Sequence, residues 1–561
     1  MGLGAERTTA ILRLDLLRNY KLAWLPGDLA AGLVIFAVTI PTALAYGHLA
    51  GLQPINGLYA SLLAMGVYAF FGTSRQLIID AEAAVAMVVF TSVAAVAVDA
   101  TPARFAALVM MEAVIIGVIQ ILAGMAKVGF IADFIPKSVV IGFINGMALI
   151  IIMAQAGRLT GIQLIQMDFF PRVWEFYTKI HEVHRLTLII GGACLAGLLL
   201  FHYLLKFIPE AVVVVVSATF AMFWWDLGTQ GVALVGLIPA GLPHPALPSV
   251  SFADAVKLLP IAIGVALVSY VDTTITGRAF AMRNGYRLDH NQELIALGLA
   301  NLGCGLCQGF AVGSSHSRTA VNETYGGRSQ LAGLLAAGLL ALFLLYFTDS
   351  LKHVPVVALA AIIIAAGISL LTPRQVLRIW RIRPASAYYS LATTAMVLFT
   401  GIMIGILVAV AFAIILVVHR LARPHETIFR PKVPGLMVYR FAGPLYFFNA
   451  PYFANRVQEL IDTADPPVTF FLINAEAIVD MDWNAAEILG ELHNSLKRRG
   501  VVLGIYDAKG DFRKVLTSTR LTTRTGFNLY PSLAAVLEES TREPEPTQKP
   551  PVEAKEQVPT D

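Results

Sequence analysis

From Trp24 to His419 the chain is a succession of long apolar runs separated by short polar turns; from about Arg430 it changes to short alternating segments. A helix needs roughly 20 apolar residues to cross a bilayer, and shorter apolar pieces fit broken helices. The runs lie near 27–46, 54–71, 81–99, 103–124, 137–157, 186–206, 209–226, 256–280, 292–307, 315–326, 328–347, 355–371, 385–400 and 401–419. This predicts fourteen spans, seven in each half of the apolar region.

Two polar interruptions break this pattern. The first is Gly72-Thr73-Ser74-Arg75-Gln76 followed by Leu77-Ile78-Ile79-Asp80-Ala81-Glu82-Ala83-Ala84, and the second runs from Gly309 through Gly313-Ser314-Ser315-His316-Ser317-Arg318 to Asn322. Each reads as a short extended run turning into a helix. Irregular backbone at membrane depth is tolerated only where it is buried in protein or lines a cavity, and paired broken helices in corresponding halves point to a transporter's binding site. The interruptions precede the third and the tenth span, the same place in each group of seven. Two repeats with an odd number of spans must have opposite orientation, so an inverted seven-plus-seven repeat is expected. An even total puts both termini on one side. Arg7, Arg13, Arg18 and Lys21 at one end, and Arg420 and Arg423 at the other, make that side the cytoplasm. Arg374, Arg378, Arg381 and Arg383, between spans twelve and thirteen, agree.

The expected organisation is a cytoplasmic N-terminal segment (1–23), a transmembrane domain (24–425), a soluble domain (430–540) and a disordered tail rich in Pro, Glu and Lys (541–561). In the soluble part, 436–441, 468–473 and 501–506 read as strands, and 450–463 and 484–499 as amphipathic helices. Strands alternating with helices predict a small α/β domain.

Composition narrows the class. The chain is 57% hydrophobic and 14% charged, whereas soluble proteins carry about 25% charged residues, so it is read as an integral membrane protein. A net charge of +4 gives no reason to expect nucleic acid. Three cysteines rule out a disulfide framework. Cys304 and Cys307 form an isolated C-x-x-C among small residues, which reads as close helix packing rather than metal or redox chemistry. No nucleophile–base constellation or metal-ligand spacing is present, so neither an enzyme nor a cofactor is expected.

The interruptions offer anion chemistry without a cofactor. Helix N-termini present unpaired N–H groups and partial positive charge. Ala81–Ala84, with Glu82, Ala83 and Ala84 as candidate binding residues, and Ser315–Thr319 are such ends. Ser315 and Ser317 add hydroxyl donors and Arg318 adds charge; the alternative is that they only cap and brace the broken helix. Glu82 is the unusual member. Ionised it repels an anion and protonated it does not, so it is a candidate for proton coupling; the plain alternative is a carboxylate favoured by the helix end. Asp80 reads as the cap of the same helix. Asp272 and Thr276, four apart in an apolar span, share a helix face and offer a carboxylate and a hydroxyl to a hard cation. The alternative is an Asp272–Arg318 salt bridge.

Gly72-Thr73-Ser74-Arg75-Gln76, Asn291-Gln292-Glu293 through Ala300-Asn301, and Ser317-Arg318-Thr319-Ala320-Val321-Asn322 resemble the sulfate permease (SulP) anion transporters, and the soluble part resembles the STAS domain that ends them. The likeness covers about residues 14–540. It implies an α-helical polytopic fold of fourteen spans in a seven-plus-seven inverted repeat, with a core and a gate domain, and a homodimer in the inner (plasma) membrane. The implied function is secondary active transport by alternating access of a small inorganic anion, of the sulfate or bicarbonate type. Coupling to a proton or to sodium is left open; an anion channel, a voltage-responsive motor or a dicarboxylate transporter of the same fold are the alternatives. A nucleobase transporter shares the architecture only by analogy, and no STAS domain is expected of one. The resemblance places an anion-binding serine and arginine at Ser317 and Arg318, and sodium-coupled bicarbonate members resemble the chain at Asp272 and Thr276. The family's frequent glutamine after the first-span proline is Thr42 here. Asp480-Met481-Asp482-Trp483 carries no hydroxyl where related soluble STAS proteins are phosphorylated, so no phospho-switch is expected there; the domain is expected to serve dimer contacts and regulation.

Overall fold

Helices dominate because the apolar runs satisfy their backbone within each segment, the condition for crossing lipid. In chain order they are α1 (Leu25–Leu49), α2 (Pro54–Phe71), α3 (Ala83–Val96), α4 (Pro102–Met125), α5 (Lys137–Thr160), α6 (Phe169–Thr178), α7 (Arg185–Leu204), α8 (Glu210–Trp224), α9 (Phe252–Arg283), α10 (His290–Leu306), α11 (His316–Thr324), α12 (Leu331–Tyr346), α13 (Val356–Leu370), α14 (Pro373–Ile382) and α15 (Pro384–Ala422). The computed structural model describes residues 20–97, 100–130, 137–166, 168–204, 209–519 and 528–541. The expected N-terminal segment up to residue 19, and the tail from 542, lie outside the described residues.

Each apolar run coincides with a helix. The runs at 385–400 and 401–419 share α15, which loses helical geometry only at Gly401 (φ 81°, ψ 169°), a conformation that suits glycine. Two short helices, α6 and α14, were not expected; both are amphipathic pieces too short to cross lipid. Among the described residues, six helical stretches are long and apolar enough to cross a membrane by themselves: Leu22–Leu49, Pro54–Phe71, Pro102–Met125, Lys137–Thr160, Phe252–Arg283 and Val356–Ile382.

The chain divides into two compact units, Met1–Ile414 and Ile415–Asp561. Within the first, α1–α4 pack with α9–α12, while α5, α7, α8 and α13 form a second group. The tightest pairing is α4 against α10. A Cβ on Gly117 would sit 2.6 Å from the Gly298 carbonyl oxygen, and one on Gly298 would sit 2.7 Å from that of Gly117. Small residues let the two backbones approach, as in membrane helix pairs generally. At this contact Asn301 donates to Gln120 Oε1 (2.9 Å) and accepts from the Val312 amide (2.7 Å), so the helix pair also holds the second interruption. Cys304 is buried there against the Ala60 carbonyl, a packing role as the sequence indicates.

The interruptions meet. Strand β1 (Ile79–Asp80) pairs antiparallel with β2 (Gly313–Ser314), Ile79 opposite Ser314 and Asp80 opposite Gly313. The chain then enters α3 and α11 from this common bridge.

In the second unit, β3 (Glu426–Phe429), β4 (Leu436–Phe441), β5 (Phe470–Asn474), β6 (Val502–Tyr506) and β7 (Asn528–Tyr530) form one sheet in that order, parallel except for the antiparallel edge strand β3. Helices α16 (Ala450–Asp462) and α17 (Trp483–Arg498) pack with each other, and they share an apolar core with the sheet around Tyr439, Phe441, Phe453 and Phe471. α18 (Gly510–Ser518) and α19 (Leu533–Thr541) complete it. The sheet begins at Glu426, before the composition changes. Asp482 caps α17 by accepting from the Ala485 amide (2.8 Å).

Candidate functional site

The first interruption leaves a stretch of backbone without helical partners, and side chains from the second half satisfy it. Glu293 is buried and accepts from the Thr73 amide (2.7 Å), the Ser74 amide (3.2 Å) and the Tyr68 hydroxyl (2.6 Å). Gln292 donates to the Phe71 carbonyl, Asn322 to that of Gln76, and Gln330 to those of Ser74 and Leu77. Such satisfaction is what irregular backbone needs away from water. Most of the polar residues in the 291–301 and 317–322 motifs are therefore struts under the broken helices.

Between the two helix groups of the first unit lies a cavity of about 610 Å³. Its polar wall is made by Glu82, Ser269, Asp272, His316 and Ser317 on one side, with Lys137, Ser369, Thr372 and Gln375 on the other; most of the remainder is aliphatic, from α3, α5 and α9.

Glu82, not Asp80, is the N-cap of α3. Its Oε2 accepts from the amides of Ala84 (2.8 Å) and Val85 (3.4 Å). The chain's own carboxylate thus takes the N–H groups that an anion at this helix end would use. Ala84 lines the cavity and Ala83 is fully buried behind it. At the other helix end, Ser315 is buried and caps α11 by accepting from the Arg318 amide (3.4 Å), whereas Ser317 is exposed on the cavity wall.

Asp80 has a different role from the cap expected of it. Its Oδ2 lies 3.0 Å from Arg318 Nε, an ion pair whose N–H is not aligned for a hydrogen bond, with both side chains at most 2% exposed. Arg318 also donates to the Ala81 carbonyl (3.1 Å) and to the Thr42 hydroxyl, and lies over the Tyr46 ring. Asp80 further accepts from Thr39 (3.2 Å) and the Ala81 amide (2.6 Å). Arg318 therefore stitches α11 to α1 and to the entry of α3. It is not among the cavity-lining residues. An Asp272–Arg318 salt bridge is not formed, because Asp80 holds the guanidinium.

Asp272 faces the cavity and accepts from Ser314 Oγ (2.6 Å). Thr276 lies one turn on, as the spacing requires, and donates to the Asp272 carbonyl (2.9 Å). Sequence reasoning missed His316, whose Nε2 sits 2.6 Å from Thr276 Oγ1 and 3.8 Å from Asp272 Oδ1. Its only signal was a polar ring between the two serines of the second interruption.

Broken helices that meet at a polar-walled cavity inside a bundle of apolar helices define a membrane transporter. The comparisons agree. The sulfate permease family model matches residues 25–393 and the STAS domain model residues 428–536, so the chain belongs to the sulfate permease family and is an anion transporter. A probable sulfate transporter of Mycobacterium tuberculosis is 37% identical over 526 residues, 91% of this chain and 94% of its own. The chloroplastic sulfate transporter 4.1 of Arabidopsis thaliana is 29% identical, covering 89% and 77%. In fold, the chain is similar to murine solute carrier 26 member A9 in its inward-facing state (TM-score 0.87, 21% identity, 96% of each chain). It is also similar to the transmembrane domain of the cyanobacterial bicarbonate transporter BicA (TM-score 0.61, 23% identity, 70% and 98%).

Proposed function

We propose that this protein is a proton-coupled transporter of sulfate-type oxyanions. The observation that carries the reading is the Glu82 carboxylate, bound to the Ala84 and Val85 amides at the wall of the cavity. As an anion it competes for the helix end; as a neutral acid it leaves those N–H groups to the substrate. Protonation and anion binding then favour each other by the same factor. The charged and titratable groups around it are Asp272 on α9, His316 on α11, Lys137 on α5 and the Asp80–Arg318 pair. The neutralised Asp80–Arg318 pair leaves the two helix ends and Lys137 to attract the anion.

The sulfate class follows from the relatives' names. The remaining reading is fourteen crossings in a seven-plus-seven inverted repeat. The α1–α4 and α9–α12 group acts as the core that carries the site, and the α5, α7, α8 and α13 group acts as the gate. The unit is a homodimer in the inner (plasma) membrane, with both termini cytoplasmic. The test is uptake of labelled sulfate into proteoliposomes under an inward proton gradient. Sulfate accumulates above equilibrium and the accumulation collapses on adding a protonophore. Bicarbonate accumulation in place of sulfate would overturn the substrate, and sulfate accumulation that survives the protonophore would overturn the coupling.

A further inference from the structure

The Asp272–Thr276 pocket has the composition of a hard-cation site, a carboxylate and two hydroxyls. The proton count in it says otherwise. Ser314 has one hydroxyl proton and Asp272 Oδ2 takes it at 2.6 Å. Thr276 has one, and the Asp272 carbonyl takes it at 2.9 Å. His316 Nε2, 2.6 Å from Thr276 Oγ1, is then the donor of that contact, and it lies 3.8 Å from Asp272 Oδ1. Asp272 Oδ2 and Thr276 Oγ1, two of the oxygens sodium would need, each already accept from a donor of the chain, and the imidazole faces Asp272 Oδ1. The imidazole stands beside Asp272 on the cavity side of the Thr276 hydroxyl: His316 and Asp272 both line the cavity, while Thr276 is buried behind them.

We infer that His316 closes the Asp272–Thr276 pocket to sodium, so that this chain moves its anion independently of sodium. His316 is a specificity-determining residue for the coupling ion; it acts by occupying the site with a fixed donor. The inference takes the anion-transport reading as its setting, but rests on this pocket alone.

Two readouts test it. The first is sulfate uptake into proteoliposomes with an inward sodium gradient or with choline in its place. The second is the unfolding midpoint of the purified protein in sodium gluconate against choline gluconate, which needs no transported anion and so stands even if sulfate is the wrong substrate. Wild type gives the same result in both salts by both readouts. His316→Ala removes the donor and opens the pocket: sodium raises its midpoint and, if sulfate is carried, its uptake by about fivefold or more, the lower end of ordinary site–site coupling. His316→Gln restores an N–H donor and with it sodium indifference. A wild type stabilised or driven by sodium overturns the inference, as does a folded His316→Ala protein whose midpoint ignores sodium.

Discussion

Replacing Arg318 by methionine should unfold or severely destabilise the membrane unit, because it leaves Asp80 charged and buried with its ion-pair partner gone. Removing one member of a buried pair costs about 3–5 kcal/mol, since the remaining charge loses its compensation in a medium that cannot solvate it. Asp80 keeps its neutral donors, among them the Thr39 hydroxyl and the Ala81 amide, which do not replace a cation. Thr42 and the Ala81 carbonyl lose their donor as well. The double variant Asp80→Asn/Arg318→Met should recover most of the loss, because no uncompensated charge remains. Thermal unfolding of detergent-solubilised protein, followed by size-exclusion profile, measures both. If Arg318→Met keeps the wild-type midpoint and loses only sulfate affinity, the guanidinium is a substrate ligand and its pairing with Asp80 is incidental.

Glu82→Gln should abolish the dependence of sulfate uptake on pH while leaving uptake itself measurable. Glutamine is neutral like the protonated acid: its oxygen caps the Ala84 amide only weakly and yields it to the substrate, and it has no proton to exchange. In wild type, sulfate affinity rises as pH falls, since protonation of the carboxylate releases the helix end. Coupling between two such sites is typically about 5–150-fold, so the wild-type profile should span at least that lower limit and the variant's should be flat. Downhill exchange persists in the variant, whereas accumulation on a proton gradient is lost. Matching pH profiles in the two proteins would reduce Glu82 to a helix-end charge.

Much of this architecture is legible in the chain, and the reasons are local. An apolar run of sufficient length has few alternatives to a helix once it enters lipid, which is why α1–α5 and α7–α13 fall where the runs do. The two polar interruptions stand out because each directly precedes an apolar run at the same place in its half of the chain. In the soluble part, alternation picks out β4, β5 and β6, but the edge strand β3 (Glu-Thr-Ile-Phe) has one face open and little pattern to read. The pairings were not legible. Asp80 and Arg318 are 238 positions apart, and sequence offered Asp272 as the nearer candidate by type; only the β1–β2 bridge, which sets Asp80 opposite Gly313, decides the matter. Glu293 reads as one more intramembrane acid until Thr73, Ser74 and Tyr68 are brought to it. His316 escaped because its meaning lies in Thr276, forty residues earlier on another helix.

The central claim, that anion and proton exchange at the α3 helix end, is tested most directly by counting protons on binding. Calorimetric titration of purified protein with sulfate, repeated in buffers of different ionisation enthalpy at one pH above neutrality, gives the number of protons taken up per sulfate bound. Wild type should take up a proton as sulfate binds, and Glu82→Gln should bind sulfate with that uptake removed. Sulfate binding to wild type with no proton uptake, or an uptake that Glu82→Gln leaves intact, contradicts the account.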